Sequence, residues 1–369
     1  MREETIRLYL EQWNQNLFSL ETYRQAQKHW DAIAKPIHGL GILEEIIAKI
    51  AGLTANVDVS FNKKCVLVFC ADNGIVEEGV TQTDSSVTAI VAANMANGTA
   101  SINRMAKAAN TEVKVIDVGI RDQVKSDQIL ARTIRRGTRN FLKEPAMTKE
   151  EALEAIKIGM EAVRQCKKEG YQIIATGEMG IGNTTTSSAL ISAYLGIHPE
   201  KLTGRGAGLS DAGLEKKKTV IVQALKKYGW MDQKIEDGET AFRVLCEVGG
   251  LDIAALAGVF LAGAIEQIPI VIDGVISAAA ALTAYRLCPY SVNAMIASHS
   301  SKEQAQQAVM EELGLAPILY GNLALGEGTG AVLLFPMLDM ALEVYRENAT
   351  FEQTKIAAYQ NYERNAKKP

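Results

Sequence analysis

The chain has 369 residues with 22% charged side chains and a formal net charge of −4 at pH 7, which fits a globular protein of one or two domains. This acidity argues against a general nucleic-acid binder, because neutralising phosphates requires a basic face. Its five cysteines include no C-x-x-C pair, which favours reduced thiols over a zinc site or a disulfide framework: Cys65, Cys70, Cys166, Cys246 and Cys288.

The first residues, MREETIRLYLEQW, are charged and amphipathic, unlike a secretory signal. The most apolar stretch, Ile253–Ile265, is too short to span a bilayer. We therefore expect a soluble cytoplasmic protein without a membrane partner. Up to about residue 55 the apolar residues recur at helical spacing, which predicts helices that pack on a larger body or on a partner.

Four segments predict buried strands. Lys64–Ala71 is a continuous apolar run, which is typical of a strand covered on both faces, and the other three are Glu112–Gly119, Ile173–Ala175 and Pro269–Asp273. Helical spacing predicts one helix that carries Val87, Ile90, Val91, Met95, Ile102 and Met105. Further helices are predicted after the capping box at Thr148–Glu151 and over Asp252–Glu266, Ile276–Leu287 and Val332–Arg346. A second capping box is predicted at Ser300–Glu303.

Strands that alternate with helices predict an α/β fold, a mostly parallel sheet wound on both faces. In such sheets ligands bind outside the carboxyl ends of the strands. The loops after Ala71, Thr176 and Ile272 would open on that edge.

The glycine loop Gly177–Gly182, followed by Asn183 and a run of hydroxyl residues, indicates a helix start that suits a phosphate. It matches neither established phosphate fingerprint, and a plain strand-to-helix turn is the commoner structure. A second glycine loop, Gly204–Gly208, precedes the lysine triplet Lys216–Lys218, of which one member could reach a phosphate. The arginines of the basic loop Arg132–Leu142 could do the same, although a solvated surface is the simpler interpretation.

Glu327 is the sharpest candidate for a reacting group, because it lies between glycines just before a helix. A partly desolvated glutamate has a raised pKa and is a better base. Glu327 could equally complement the helix dipole. Asp72 and Asp273 follow strands and could bind a ribose hydroxyl or a loop backbone, and His299 is more often structural when isolated. No spacing of His, Cys, Asp and Glu fits a metal site.

Several motifs occur here in a fixed order: ADNGIVEEGV, VTAIVAANMANGTA, GEMGIGNTTTSSA, GRGAGLSDAGLEKK, PIVIDG, ASHSS and LALGEGTGA. Together they resemble the nicotinate-nucleotide–dimethylbenzimidazole phosphoribosyltransferase family of cobamide (vitamin B12) assembly. The resemblance runs from roughly residue 30 to 345. It implies a doubly wound α/β domain over 56–335, a small helical domain from 1–55 and 336–369, and usually a homodimer.

Such enzymes move the ribose phosphate of nicotinate mononucleotide onto a lower-ligand base with inversion at C1, and no cofactor is implied. Motif by motif, Glu327 matches the general base. The resemblance places the nucleotide and its phosphate on Glu178, Gly180, Gly182, Asn183, Thr184, Gly206, Lys217, Asp273, Gly274 and Ser301. It places the incoming base on Val80, Thr83, Val91 and Leu325.

Two positions depart from the family pattern. Asn73 stands where the family usually has His, and Val91 replaces a Gln that contacts the base. Both changes concern the neighbourhood of the incoming base, so a purine or phenol acceptor stays open, as does a heterodimer with a related chain. A non-catalytic subunit would need neither Glu327 nor the nucleotide loop. A dehydrogenase is disfavoured, because no G-x-G-x-x-G with a following acidic residue is present.

Overall fold

The computed structural model describes residues 3–124 and 126–359. Its helices are α1 (Glu3–Trp13), α2 (Leu20–Ala32), α3 (Ile42–Thr54), α4 (Ser86–Ala96), α5 (Ser101–Ala108), α6 (Lys149–Lys168), α7 (Asn183–Leu195), α8 (Pro199–Leu202), α9 (Asp211–Tyr228), α10 (Gly238–Val248), α11 (Leu251–Ile265), α12 (Val275–Leu287), α13 (Gln304–Leu313), α14 (Thr329–Glu347) and α15 (Phe351–Thr354). The strands are β1 (Lys64–Ala71), β2 (Thr111–Gly119), β3 (Ile129–Ala131), β4 (Ile173–Met179), β5 (Ile270–Ile272), β6 (Met295–Ala297), β7 (His299–Ser301) and β8 (Leu319–Leu323).

Six of these strands form one sheet in the order β3-β2-β1-β4-β5-β6, and every neighbouring pair is parallel. The chain winds outward from β1 to β3 and then returns to the other side of β1 with β4. The expected doubly wound α/β fold is confirmed. Its topological switch point lies between β1 and β4, which is where such sheets bind ligands. The strands β7 and β8 form a separate parallel pair.

Glycines allow α11 and α6 to pack closely against each other. Helix α11 contacts β1, β2 and β4 and packs along α6. A Cβ atom on Gly159 would lie 1.8 Å from the carbonyl oxygen of Ala255, and one on Gly258 would lie 2.0 Å from that of Ile156. The two helices can therefore approach this closely only because glycine stands at both positions.

The chain divides into two compact units. The larger comprises the described residues up to Asn16 together with Phe61–Leu333, and it contains the six-stranded sheet. Helical segments from both ends of the chain form the smaller unit, Leu17–Ser60 and the described residues from Leu334 onward. The division at residues 55 and 335 stays a prediction, since residues up to Asn16 group with the larger unit here.

Two predicted local features are wrong. The single helix through Val91 and Met105 is in fact two helices, α4 and α5, because Gly98 between them adopts a left-handed conformation with φ 72°. The capping box at Ser300–Glu303 is absent. Ser300 and Ser301 belong to β7, and Glu303 precedes α13 without a capping side-chain hydrogen bond. The capping box of α6 at Thr148 is confirmed.

Candidate active site

A cavity of about 260 Å³ lies at the carboxyl edge of the sheet. Its lining includes the residues that directly follow β4 and β5, Gly180 and Asp273, together with His299 of β7, so the ends of β4 and β5 open onto it. The predicted site residues that line the cavity are Val91, Glu178, Gly180, Asn183, Thr184, Gly206, Asp273, Gly274, Ser301, Leu325 and Glu327. Four others lie outside the lining: Val80, Thr83, Gly182 and Lys217. The turn after β1 does not line the cavity either.

Close backbone packing explains the glycines between β4 and α7. A Cβ atom on Gly180 would lie 2.2 Å from the carbonyl oxygen of Ala71, so this turn must pass tightly over the end of β1. Gly182 has φ +95°, a conformation that residues other than glycine rarely adopt, and it directly precedes Asn183 at the start of α7. Gly182 therefore shapes the turn without lining the cavity.

Two buried carboxyl groups share the amide of Asn183. Its Nδ2 atom donates to Glu178 Oε2 and, at 3.1 Å, to Asp252 Oδ2. Burial raises the pKa of Glu178 to about 8 and that of Asp252 to about 6. Asn73 belongs to the same network, because its side chain hydrogen-bonds to Asp252, and its Oδ1 accepts from Thr186 Oγ1 at 2.8 Å. Asn73 thus bears on the nucleotide loop and does not line the cavity.

Lys217 is the buried member of the lysine triplet, with 1% of its surface exposed. Its Nζ donates to Thr184 Oγ1 at 2.9 Å and to the carbonyl oxygen of Gly204 at 3.1 Å. Burial lowers the pKa of Lys217 to about 8. Lys218 instead forms ion pairs on the surface with Glu200 and Glu215, at 3.0 and 2.8 Å.

A carboxylate lies against the second glycine loop. Glu303 lines the cavity, and a Cβ atom on Gly204 would lie 1.5 Å from its Oε2. The same carboxylate attracts the ammonium of Lys217 electrostatically and raises the pKa of that lysine, against the larger effect of burial. A negative side chain that lines the cavity therefore acts electrostatically on the buried cation.

Glu327 is half-buried and lies in the left-handed region with φ +63°, between Gly326 at +85° and Gly328 at +90°. Its Oε2 accepts a hydrogen bond of 3.0 Å from the backbone N–H of Ile102, in the first turn of α5. Desolvation raises the pKa of Glu327, and this hydrogen bond opposes the shift. A carboxylate with a raised pKa and one oxygen held in place can act as a base.

Asp273 lies directly behind this loop. Its Oδ2 accepts from the N–H of Gly328 at 3.1 Å and its Oδ1 from the N–H of Ala331 at 2.9 Å. Burial raises the pKa of Asp273, and the neighbouring His299 opposes that shift. The hydroxyl of Ser298 donates to Ile272 O at 2.6 Å, so the bond of 2.9 Å between Ser298 and His299 requires a proton on His299 Nδ1.

Apolar side chains form another part of the wall. Val91 on α4 lines the cavity together with Ile181, Leu323 and Leu325. Val80 is buried elsewhere and Thr83 is exposed, so the structure does not bring these two predicted residues to the cavity.

Sequence reasoning missed several contributors to the site, among them Glu303, Asp252 and a backbone N–H. Asp252 is predicted from the sequence only as a helix start, and its sole signal is an acidic residue ahead of a very apolar helix. The N–H of Ile102 carries no side-chain signal at all. Three arginines of the basic loop form ion pairs: Arg135 and Arg139 contact Glu151, at 3.3 and 2.7 Å, and Arg136 contacts Asp117 at 3.6 Å.

No helix in the described part of the chain is long and apolar enough to cross a membrane. Within the same residues, no group of three or more His, Cys, Asp or Glu side chains is placed to hold a metal ion.

A parallel sheet with this switch point, a buried lysine at a glycine loop and a poised carboxylate in one cavity define an enzyme of the nucleotide-binding α/β class. Comparison with known proteins narrows the class. The phosphoribosyltransferase family model DBI_PRT matches residues 17–356. The chain belongs to this phosphoribosyltransferase family.

Relatives and solved structures agree. A protein of Acetivibrio thermocellus named nicotinate-nucleotide–dimethylbenzimidazole phosphoribosyltransferase is 43% identical over 340 residues, covering 92% of this chain and 95% of its own. The protein of that name from Clostridium acetobutylicum is 43% identical, covering 90% and 93%. The crystal structure of CobT from Thermus thermophilus superposes with a TM-score of 0.86 at 38% identity, covering 92% of this chain and all of that one.

Proposed function

We propose that this enzyme transfers ribose 5-phosphate from nicotinate mononucleotide to 5,6-dimethylbenzimidazole or a related base. The products are an α-ribazole 5′-phosphate and nicotinate, and the step belongs to cobamide biosynthesis in the cytoplasm. The names of the relatives support the reaction. The observation that carries it is Glu327, a half-buried carboxylate in the same cavity as the glycine loops.

In this reaction one ring nitrogen of the acceptor attacks C1 of the ribose from the face opposite the nicotinate. The bond from C1 to the pyridinium nitrogen breaks and its electron pair neutralises that nitrogen, so the leaving group needs no acid. The acceptor must lose its N–H proton, and Glu327 takes it. A general base of this kind contributes typically ~10²–10⁴ in rate, and positioning of the two substrates supplies much of the rest.

The phosphate would lie at the opposite end of the cavity, beside Thr184, Gly206 and Lys217. A helix start such as that of α7, next to a glycine loop, suits an anion. Lys217 supports this placement because its ammonium is already desolvated and bonded to Thr184, which lines the cavity. Little further desolvation is then needed when the phosphate binds.

The test is an assay with purified protein, nicotinate mononucleotide and dimethylbenzimidazole, with products separated by chromatography. We expect α-ribazole 5′-phosphate from the wild type. Glu327→Gln should fold normally, bind the nucleotide with little change and lose ~10²-fold or more in turnover. A Gln variant with near-wild-type rates would remove Glu327 as the base, and an inactive wild type would reject the reaction itself.

The apolar wall at Val91 supports a second class of acceptor, a phenol. A phenol would suit Glu327 as well, since an O–H proton replaces the N–H proton, and a purine is a third acceptor. An apolar wall discriminates among such acceptors only weakly. The resemblance adds a homodimer, or a heterodimer with a related chain, and light scattering on the purified protein distinguishes these from a monomer.

A further inference from the structure

We propose that Asp273 is a positioning residue for Glu327: it holds the loop that carries this base and does not itself bind the nucleotide. The inference rests on the proposed function, because it assigns a role relative to the base of that reaction. It departs from the role that the family resemblance implied for Asp273, a contact with the ribose phosphate.

The first argument is that both oxygens of Asp273 are already engaged. Oδ2 accepts from Gly328 N–H at 3.1 Å and Oδ1 from Ala331 N–H at 2.9 Å, and the residue is 2% exposed. These N–H groups belong to the loop and the first turn of α14, where a helix leaves its donors without partners. Asp273 thus caps α14 from outside the helix and ties it to the end of β5.

The second argument is the conformation of the loop. Gly326, Glu327 and Gly328 all have positive φ, and the middle residue is not a glycine. A non-glycine residue keeps such a conformation only where its surroundings over-determine it. Asp273 fixes the residue on one side of Glu327, and the N–H of Ile102 fixes its carboxylate. Displacing a catalytic group by about 1 Å can cost ~10²-fold in rate.

The third argument is the close packing behind the loop that carries Glu327. A Cβ atom on Gly330 would lie 2.1 Å from His299 Cε1 and 3.0 Å from Asp273 Oδ1. The start of α14 therefore lies directly on His299 and Asp273. This packing leaves the backbone of the loop pressed against the carboxylate that accepts its N–H groups.

Two variants test the role from opposite sides. Asp273→Asn keeps the shape of the side chain but replaces one carboxylate oxygen by an NH2 group. This group faces a backbone N–H of the loop and cannot accept its hydrogen bond, so we expect kcat to fall ~10–10²-fold. Ala331→Pro removes one of the two N–H donors and leaves Asp273 intact. Proline is tolerated in the first turn of a helix. Both variants should bind nicotinate mononucleotide, measured by calorimetry, with a Kd within about twofold of the wild type.

A double-mutant cycle with Glu327→Gln makes the test sharper. If Asp273 acts through Glu327, adding Asp273→Asn to Glu327→Gln should cause almost no further loss of turnover. Independent, multiplicative losses would overturn the positioning role. So would a tenfold or larger rise in Kd for nicotinate mononucleotide in Asp273→Asn. If that variant does not fold, Ala331→Pro decides the matter alone, since an unchanged kcat there would equally overturn the proposal.

The outcomes separate this inference from the proposed function. A wild type that forms no ribazole phosphate rejects both. An active wild type whose Asp273→Asn variant loses nucleotide affinity, with kcat retained, rejects the positioning role alone.

Discussion

Replacing Lys217 by Met should weaken nucleotide binding strongly and change the stability of the protein only slightly. Burial lowers the pKa of this lysine from 10.5 to about 8. That difference corresponds to roughly 3 kcal/mol spent on keeping the ammonium charged inside the folded protein. Loss of the ammonium leaves the Thr184 hydroxyl and the Gly204 carbonyl without its hydrogen bonds, at ~1–3 kcal/mol. The free energy of unfolding at pH 7 should therefore stay the same or rise by no more than ~2 kcal/mol.

Binding should change far more. Removing one partner of a buried charge pair costs ~2–5 kcal/mol, so the Kd for nicotinate mononucleotide should rise roughly 30-fold to a few thousand-fold. The KM of the acceptor base should change little. Lys216→Met and Lys218→Met are the matched controls, because Lys216 is exposed and Lys218 pairs with surface glutamates.

The sign of the pH dependence follows from the same pKa. The folded value lies below the unfolded one, so the unfolded chain holds more protons between about pH 8 and 10.5. The penalty for burying Lys217 is therefore full below pH 8 and fades as the pH rises. From pH 7 to pH 9.5 the wild type should gain roughly 2 kcal/mol relative to Lys217→Met in denaturant titrations. This reasoning would be refuted if the stability difference between the wild type and Lys217→Met did not change with pH. It would also be refuted if only a control variant lost nucleotide binding.

Three further outcomes are expected. When dimethylbenzimidazole, adenine and a cresol compete as acceptors, Val91→Gln should use a narrower range of them than the wild type, since a polar group discriminates more strongly than an apolar wall. Exclusive use of dimethylbenzimidazole by the wild type would contradict this expectation. Glu303→Gln should bind nicotinate mononucleotide more tightly, because a negative charge beside the phosphate site is removed; weaker binding in calorimetry would contradict that account. Gly180→Ala should lower stability by ~1–3 kcal/mol through its clash with Ala71, whereas Gly274→Ala, which meets nothing within 4 Å, should melt like the wild type.

The parallel sheet was predictable because strand-like segments alternate with helical ones along the chain and the central strand is a continuous apolar run. The run at Lys64–Ala71 coincides with β1, and the capping box at Thr148 starts α6 as expected. The break between α4 and α5 was not predictable from spacing alone. Apolar residues keep their helical period across Gly98, and only the left-handed conformation of that glycine ends α4 there.

Long-range pairing limited what could be predicted of the cavity. Asp252 is 69 residues from Asn183 and Ile102 is 225 residues from Glu327, so local patterns could not reveal either contact. The backbone N–H of Ile102 in particular has no side-chain signature. The lysine triplet shows the same limit, because three identical neighbours differ only in burial, which the fold decides.

The burial of Glu178 has a consequence for the charge of the whole molecule. Counting every acidic side chain as ionised gives −4, yet at pH 7 most folded molecules keep a proton on Glu178, whose pKa is about 8. The native protein should thus migrate in electrophoresis as one charge less negative than its composition implies. Nucleotide binding that changes the pKa of Glu178 moves protons to or from the medium, and the heat of binding should then differ between phosphate and Tris buffers. Comparing the two heats counts the protons taken up or released.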